Sequence, residues 1–132
     1  MDSKPQKPLP PDLPLSRPYW EAARRGELAV QRCAACGKLR HYPRLMCSAC
    51  HSLDVQWQPL SRRGSIHSWT VCHHPFHAAF RDEIPYTLVT VDLEEGVRAL
   101  GRWTGGVPVM GAPVAGRFEV DGERAELIFD PR

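Results

Sequence analysis

Residues 33–50 read CAACGKLRHYPRLMCSAC, two Cys-x-x-Cys pairs separated by ten residues. Two residues between cysteines let one tight knuckle aim both sulfurs at the same point. Two facing knuckles then complete a tetrahedron of soft thiolates, the closed coordination of a structural zinc. Gly37 follows the first pair, where a knuckle backbone needs a positive φ, and His51 follows the second, where His is among the residues that tolerate it. Cys33, Cys36, Cys47 and Cys50 are therefore expected to hold one structural Zn2+, with no coordination position left open for catalysis. Arg32, Lys38, Arg40 and Arg44 stand close in sequence to offset the negative charge of a four-thiolate site. Two rivals use the same residues. Cys47-Ser-Ala-Cys50-His51 has the spacing of haem attachment, which requires export, and a redox Cys-x-x-Cys requires a helix start beside a βαβ unit, which the pattern lacks.

Upstream, Pro18 to Arg25 suits a short helix: Pro18 fits its first turn, Arg24 and Arg25 lie at the negative end, and Gly26 stops it. Tyr19, Ala22 and Ala23 share a face by their spacing of three and four. Glu27 to Arg32 alternates, with Leu28 and Val30 on one side, and reads as a strand entering the first cysteine pair. Residues 1–16, with Pro5, Pro8, Pro10, Pro11 and Pro14, are expected to form a flexible proline-rich arm. Downstream, Val55-Gln56-Trp57 is a short strand, and from Gly64 onward the pattern is all-β. Strands are expected over 64–71, 86–93, 97–103, 114–120 and 125–129, the last two joined across Asp121-Gly122. Five antiparallel strands of this length must hide their edges. Closure into a small barrel of the OB type does so, and a sheet packed on a partner is the alternative. The expected fold is mainly β, in three segments: an arm over 1–16, an N-terminal helix and four-cysteine zinc ribbon over 17–60, and a five-stranded OB-fold barrel over 61–132.

Composition narrows the class. At 132 residues with 42% hydrophobic and 24% charged side chains, the chain has the make-up of a soluble globular protein. No apolar run approaches the roughly 18 residues of a membrane span, and Met1 to Pro14 has no signal-peptide core, so a cytoplasmic location is expected. Residues 1–63 carry 11 Lys/Arg against 5 Asp/Glu, whereas residues 64–132 carry 6 against 10. The barrel half is thus acidic, which disfavours phosphate backbones on it.

Taken in order, these residues resemble a known family. Tyr19-Trp20-Glu21, Gly26-Glu27-Leu28, the two cysteine pairs, Tyr42-Pro43-Arg44, Ser61 to Gly64, Trp69-Thr70-Val71, Pro75-Phe76, Ile84-Pro85-Tyr86, Leu93 to Gly96 and Gly111-x-Pro-Val114 are similar to the zinc-ribbon OB-fold proteins of the DUF35 family. The resemblance runs from about Pro18 to the C-terminus. It implies a non-catalytic accessory subunit that docks on a thiolase-superfamily enzyme or a hotdog-fold hydratase and helps form or bridge its acyl-CoA site. It also implies that ribbon and helix form docking surface, and that Phe76, His77, Phe80, Pro85 and Tyr86 lie at a barrel mouth facing the thioester, with acyl-CoA as a shared ligand. It carries over no catalytic residue. Arg62, Arg63, Arg81 and Arg102 are candidates for phosphate contact, because a guanidinium grips phosphate in two places.

Three further readings remain. A nucleic-acid-binding ribbon and OB-fold is the main alternative, although it needs a basic groove with stacking aromatics. An independent enzyme lacks a phosphate loop, a nucleophile elbow or paired catalytic carboxylates. The cluster Cys72, His73, His74 and His77 reads either as a second metal or nucleophile site or, more simply, as a loop after the first barrel strand.

Overall fold

The computed structural model describes residues 5–132; the first four residues of the expected arm lie outside them. Among the described residues one α-helix, α1 (Arg17–Arg24), precedes eight strands: β1 (Ala29–Cys33), β2 (Leu39–Arg40), β3 (Val55–Pro59), β4 (Arg63–Cys72), β5 (Tyr86–Leu93), β6 (Arg98–Trp103), β7 (Pro113–Asp121) and β8 (Arg124–Pro131). Among the described residues no helix is long and apolar enough to cross a membrane.

β1, β2 and β3 form a three-stranded antiparallel sheet in the order β2-β1-β3, and β4 to β8 close into a barrel in the order β4-β5-β6-β8-β7. Closure has two joints. β4 pairs with β7 over three residues, with Gly64 opposite Val114, and β6 pairs with β8 in parallel at Arg102↔Ile128 and Trp103↔Phe129. A short parallel joint inside an otherwise antiparallel five-stranded barrel is the OB-fold arrangement, as expected from the strand count. Each predicted barrel strand is present. The last hairpin pairs Asp121 with Arg124, so its turn is Gly122-Glu123, one step later than Asp121-Gly122, with Gly122 at φ 61.

The helix forms where Pro18 pre-sets its first turn, and its Ala22 and Ala23 are fully buried as the spacing predicts. Leu28 and Val30 belong to the same apolar cluster as Ile66, Val89, Val91, Val114 and Phe129, with Tyr19 packed against it. Leu60 N–H also donates to the Leu28 carbonyl at 2.8 Å. Helix, ribbon base and barrel therefore share one core.

Two features of the ribbon escape the sequence pattern. β2 has only two residues, too few for any periodicity. Gln31, on the strand read as alternating, is buried, and its Oε1 accepts from Arg40 Nε at 2.6 Å and from the Arg44 backbone N–H at 2.8 Å. A buried amide is tolerated when its acceptor is used, and here it ties the start of the ribbon to the Pro43-Arg44 bend.

Candidate metal centre and barrel mouth

Cys33 ends β1 and Cys47 begins the second knuckle; both are buried, whereas Cys36 and Cys50 are exposed. The four sulfurs all lie within 4.8 Å of one another, with Cys33 and Cys50 at 3.5 Å and Cys36 and Cys47 at 3.6 Å. A tetrahedron built on Zn–S bonds of about 2.3 Å has edges of about 3.8 Å, so the donors fit zinc in number, softness and spacing. The two knuckles repeat one hydrogen-bond pattern. Gly37 N–H donates to the Cys33 carbonyl at 2.9 Å and His51 N–H to the Cys47 carbonyl at 3.0 Å. Both residues adopt the left-handed backbone expected of them, with φ of 81 and 64.

The electrostatics of the cluster suit a cation. The backbone N–H of Cys36, aided by that of Ala35, holds the Cys33 thiol down to about 6, and the N–H groups of Cys50 and Ala49 lower Cys47. Cys50 receives a favourable N–H from Ser52, yet the sulfurs of Cys33, Cys36 and Cys47 push it up to about 11. Four thiolates this close repel one another, and a divalent ion at their centre reverses the sign of that interaction. Among the described residues these cysteines are the one such group of His, Cys, Asp or Glu side chains. Cys72, His73, His74 and His77 do not gather into a second one.

In the barrel, the loop from β4 to β5 contains a single 3-10 turn, Ala78–Phe80, capped by His77, whose Nδ1 accepts the Ala79 N–H at 3.0 Å. Phe80 lies 5.9 Å from Tyr86 between ring centroids, and the Arg102 guanidinium sits 4.5 Å above Tyr86. Burial and the neighbouring Cys72 raise the Tyr86 hydroxyl above its usual value. Arg102 pairs with Glu83 and lies 3.2 Å from Glu126. His77, Phe80, Tyr86 and Arg102 are thus brought together. Arg81 follows the turn and Pro85 precedes β5, both exposed, and Phe76 stands out on the loop at 80% exposure.

Arg62 and Arg63 are elsewhere. They enter β4, whereas the mouth loop leaves it ten residues later, about 30 Å along the strand at ~3.3 Å per residue. Arg62 gives Nε to the Gly116 carbonyl and Nη1 to that of Gly26, both at 3.1 Å, which braces the ribbon against the barrel. Glu83, which the sequence analysis does not single out, joins this group. Its partners Arg102 and Lys7 are 19 and 76 residues away, a pairing that no local pattern reveals.

Between helix, ribbon and barrel lies a cleft of about 390 Å³ lined by Trp20, His41, Tyr42, Leu88 and Leu100 among others. His41 stacks on Tyr19 at 5.4 Å, and burial pushes its imidazole down to about 4. Because the folded value is depressed, this contribution to stability is complete above pH ~6.5 and is lost as the pH falls toward 4, since between these values the unfolded chain takes the proton more readily than the folded one. The expected loss by pH 4 is up to roughly 3 kcal/mol. Thermal melts at pH 7 and 4.5 should show a smaller acid shift for His41→Gln than for the native chain, and equal shifts would refute the assignment.

Fold and metal site together define a zinc-ribbon OB-fold protein. Residues 20–56 match the model of the ChsH2 rubredoxin-like zinc ribbon domain and residues 57–119 that of the ChsH2 C-terminal OB-fold domain. A solved structure, the Ltp2-ChsH2(DUF35) aldolase, superposes with a TM-score of 0.83 at 35% identity over 93% of this chain and 98% of the other. The chain belongs to the DUF35 family. It is also 37% identical over 136 residues to a probable enoyl-CoA hydratase alpha subunit of Thermomonospora curvata, covering 98% of this chain and 42% of that protein. A DUF35 domain-containing scaffold protein of Methanothermobacter thermautotrophicus is 31% identical over 83 residues, 62% of each chain. The chain thus spans less than half the length of the hydratase subunit it matches.

Proposed function

We propose that this chain is a non-catalytic accessory subunit that docks on an acyl-CoA enzyme of the thiolase superfamily or the hotdog fold and helps shape its thioester site. The observation that carries this reading is the match along 98% of a DUF35 chain that is named as part of an aldolase. The hydratase-subunit and scaffold relatives point the same way. In this reading a structural zinc holds the ribbon, the arm, ribbon and barrel divide near residues 16 and 60, and Phe76, His77, Phe80, Arg81, Pro85 and Tyr86 face the partner or its acyl-CoA. Arg63 and Arg62, at the far end of β4, belong to a second contact area. The surface supports docking: Phe76, Val107, Val109 and Met110 on the barrel loops and Leu45 and Leu53 on the ribbon are exposed, and exposed apolar groups in number mark interaction surfaces.

Binding of nucleic acid gains nothing from the geometry. Of the barrel arginines, Arg98 pairs with Asp92, Arg102 with Glu83, Arg117 with Asp130 and Arg124 with Glu126. Neutralised cations of this kind make a poor phosphate track.

Capture of the tagged chain from lysate of its source organism, with nuclease present, tests the proposal. Stoichiometric recovery of a thiolase-fold or hotdog-fold enzyme is expected, and recovery of the chain alone or with nucleic-acid machinery counts against it. Phe76→Ala should lower that recovery at least tenfold while leaving stability within about 0.5 kcal/mol, since substitutions at exposed positions rarely do more.

A further inference from the structure

The proline-rich arm does not simply trail from α1. Its base is fixed: Ser16 and Arg17 N–H donate to the Leu13 carbonyl at 3.1 and 2.9 Å, and Arg17 Nε reaches Asp12 at 2.9 Å. Farther along the arm, Lys7 lies against the loop between β4 and β5. Lys7 Nζ sits 3.0 and 2.8 Å from the two carboxylate oxygens of Glu83 and 4.9 Å from the centroid of Phe80. The Lys7 side chain is only 24% exposed, whereas lysines in general are solvated. A carboxylate beneath an aromatic face is a socket for an alkylammonium, joining an ion pair to a cation–π contact. Arg102 completes its wall, bonded to the same carboxylate and stacked on Tyr86.

Charge complementarity explains why the arm lies here. Between the arm and the barrel runs an open groove of about 920 Å³ whose barrel side carries Asp82, Glu83, Glu119, Asp121, Glu123 and Glu126 against one arginine, Arg124, and Lys7 brings positive charge to this acidic excess. The prolines reduce the entropy that an extended segment loses on lying down. The 3-10 turn that receives Lys7 buries none of its own residues. A segment with so little packing opens easily unless something outside it holds it.

We propose that residues 5–15 are a displaceable strap over the barrel mouth, with Lys7 plugged into the Phe80–Glu83 socket. Release of the strap frees the Ala78–Glu83 segment to engage whatever docks at the mouth. The strap stands on the geometry alone; only the consequence of its release rests on the accessory-subunit reading.

Amide hydrogen exchange on the full-length, zinc-loaded chain tests it. Lys7→Ala should speed exchange across residues 78–83 at least tenfold, Lys7→Arg should keep most of the protection, and exchange in β5 to β8 should not change. Moderate salt should loosen the native chain in the same region, because the ion pair is partly screened. Equal exchange across 78–83 in the native and Lys7→Ala chains overturns the strap. With the captured enzyme titrated in below saturation, the Lys7→Ala chain should bind it several-fold more tightly than the native chain, and unchanged or weaker binding overturns the gating role. A capture that recovers no enzyme with either chain counts against the accessory-subunit reading, and the exchange result then decides the strap by itself.

Discussion

Cys47→Ser, or stripping the ion with a strong chelator, is expected to unfold the ribbon and lower stability by at least about 4 kcal/mol, since structural zinc supplies about 10–16 kcal/mol in isolated fingers at neutral pH. Burial gives the reason. From residue 34 to residue 56 the one buried side chain is Cys47, itself a zinc ligand. Leu45, Met46, Leu53 and Val55, the apolar residues around the second knuckle, are exposed and add no core there. The second knuckle reaches the rest of the chain through sulfur, through the Gln31 acceptor, through exposed bonds from Lys38 to Ser48 and from Arg40 to the Arg44 carbonyl, and through a few backbone bonds. A serine oxygen is a hard, protonated donor and cannot replace a thiolate in a soft tetrahedral set. Metal analysis should find one zinc per native chain and less than one per variant. Melting should fall by roughly 10 °C or more, at about 3 °C per kcal/mol for a chain of this size. A Cys47→Ser chain that melts within about 2 °C of the native protein, less than a single kcal/mol would shift it, would end the structural-metal reading.

Much of this architecture is legible in the sequence, for physical reasons that differ from part to part. The zinc site is legible because the chemistry needs four soft donors at short spacings, and short spacings are visible in one dimension. The barrel strands are legible because each alternates or is β-branched over several residues. Alternation marks a sheet with one dry face, and Val89, Val91 and Leu93 on β5 are buried as that pattern requires. What escapes is non-local. Nothing near Gln31 announces that a glutamine on the core side will be satisfied by Arg40 and by the Arg44 backbone. Arg62 reads as a candidate for phosphate contact and instead braces ribbon against barrel, because its partners are backbone carbonyls that exist only once the two have met. Glu83 carries no local signal of its role and holds both Lys7 and Arg102, because these reach it from before and after it, 76 and 19 residues away. The candidate site is therefore half visible: the family resemblance names Phe80 and Tyr86, which the fold brings within 5.9 Å of each other, and the ion network beside them has no local signal.

Phe129→Ala is the second large effect expected, at about 3–5 kcal/mol. Phe129 is fully buried and is the largest side chain to be so. It lies on β8 opposite Trp103 of β6 at the parallel joint and opposite Gly116 of β7, where the barrel closes. Its ring takes space that two glycines leave open. A Cβ on Gly101 would fall 2.7 Å from Phe129 Cδ2, and one on Gly116 would fall 3.0 Å from Phe129 Cε1. Removing the ring leaves a cavity walled by strands that cannot close over it without losing hydrogen-bond register, which places the cost toward the upper part of the range. The glycines make the argument specific. At Gly116 the neighbours are all side chains, the others being Arg62 Cβ and Leu127 Cδ1 at 3.3 Å, so Phe129→Leu should offset much of the cost of Gly116→Ala. At Gly101 the added methyl also meets the Leu127 backbone oxygen at 2.9 Å, which no trimming of Phe129 relieves, so Gly101→Ala should stay destabilising in the Phe129→Leu background. Denaturant melts of the two double-mutant cycles separate these cases. A cost below about 1 kcal/mol for Phe129→Ala, smaller than any buried aromatic deletion should give, would mean that the barrel is not packed around this ring.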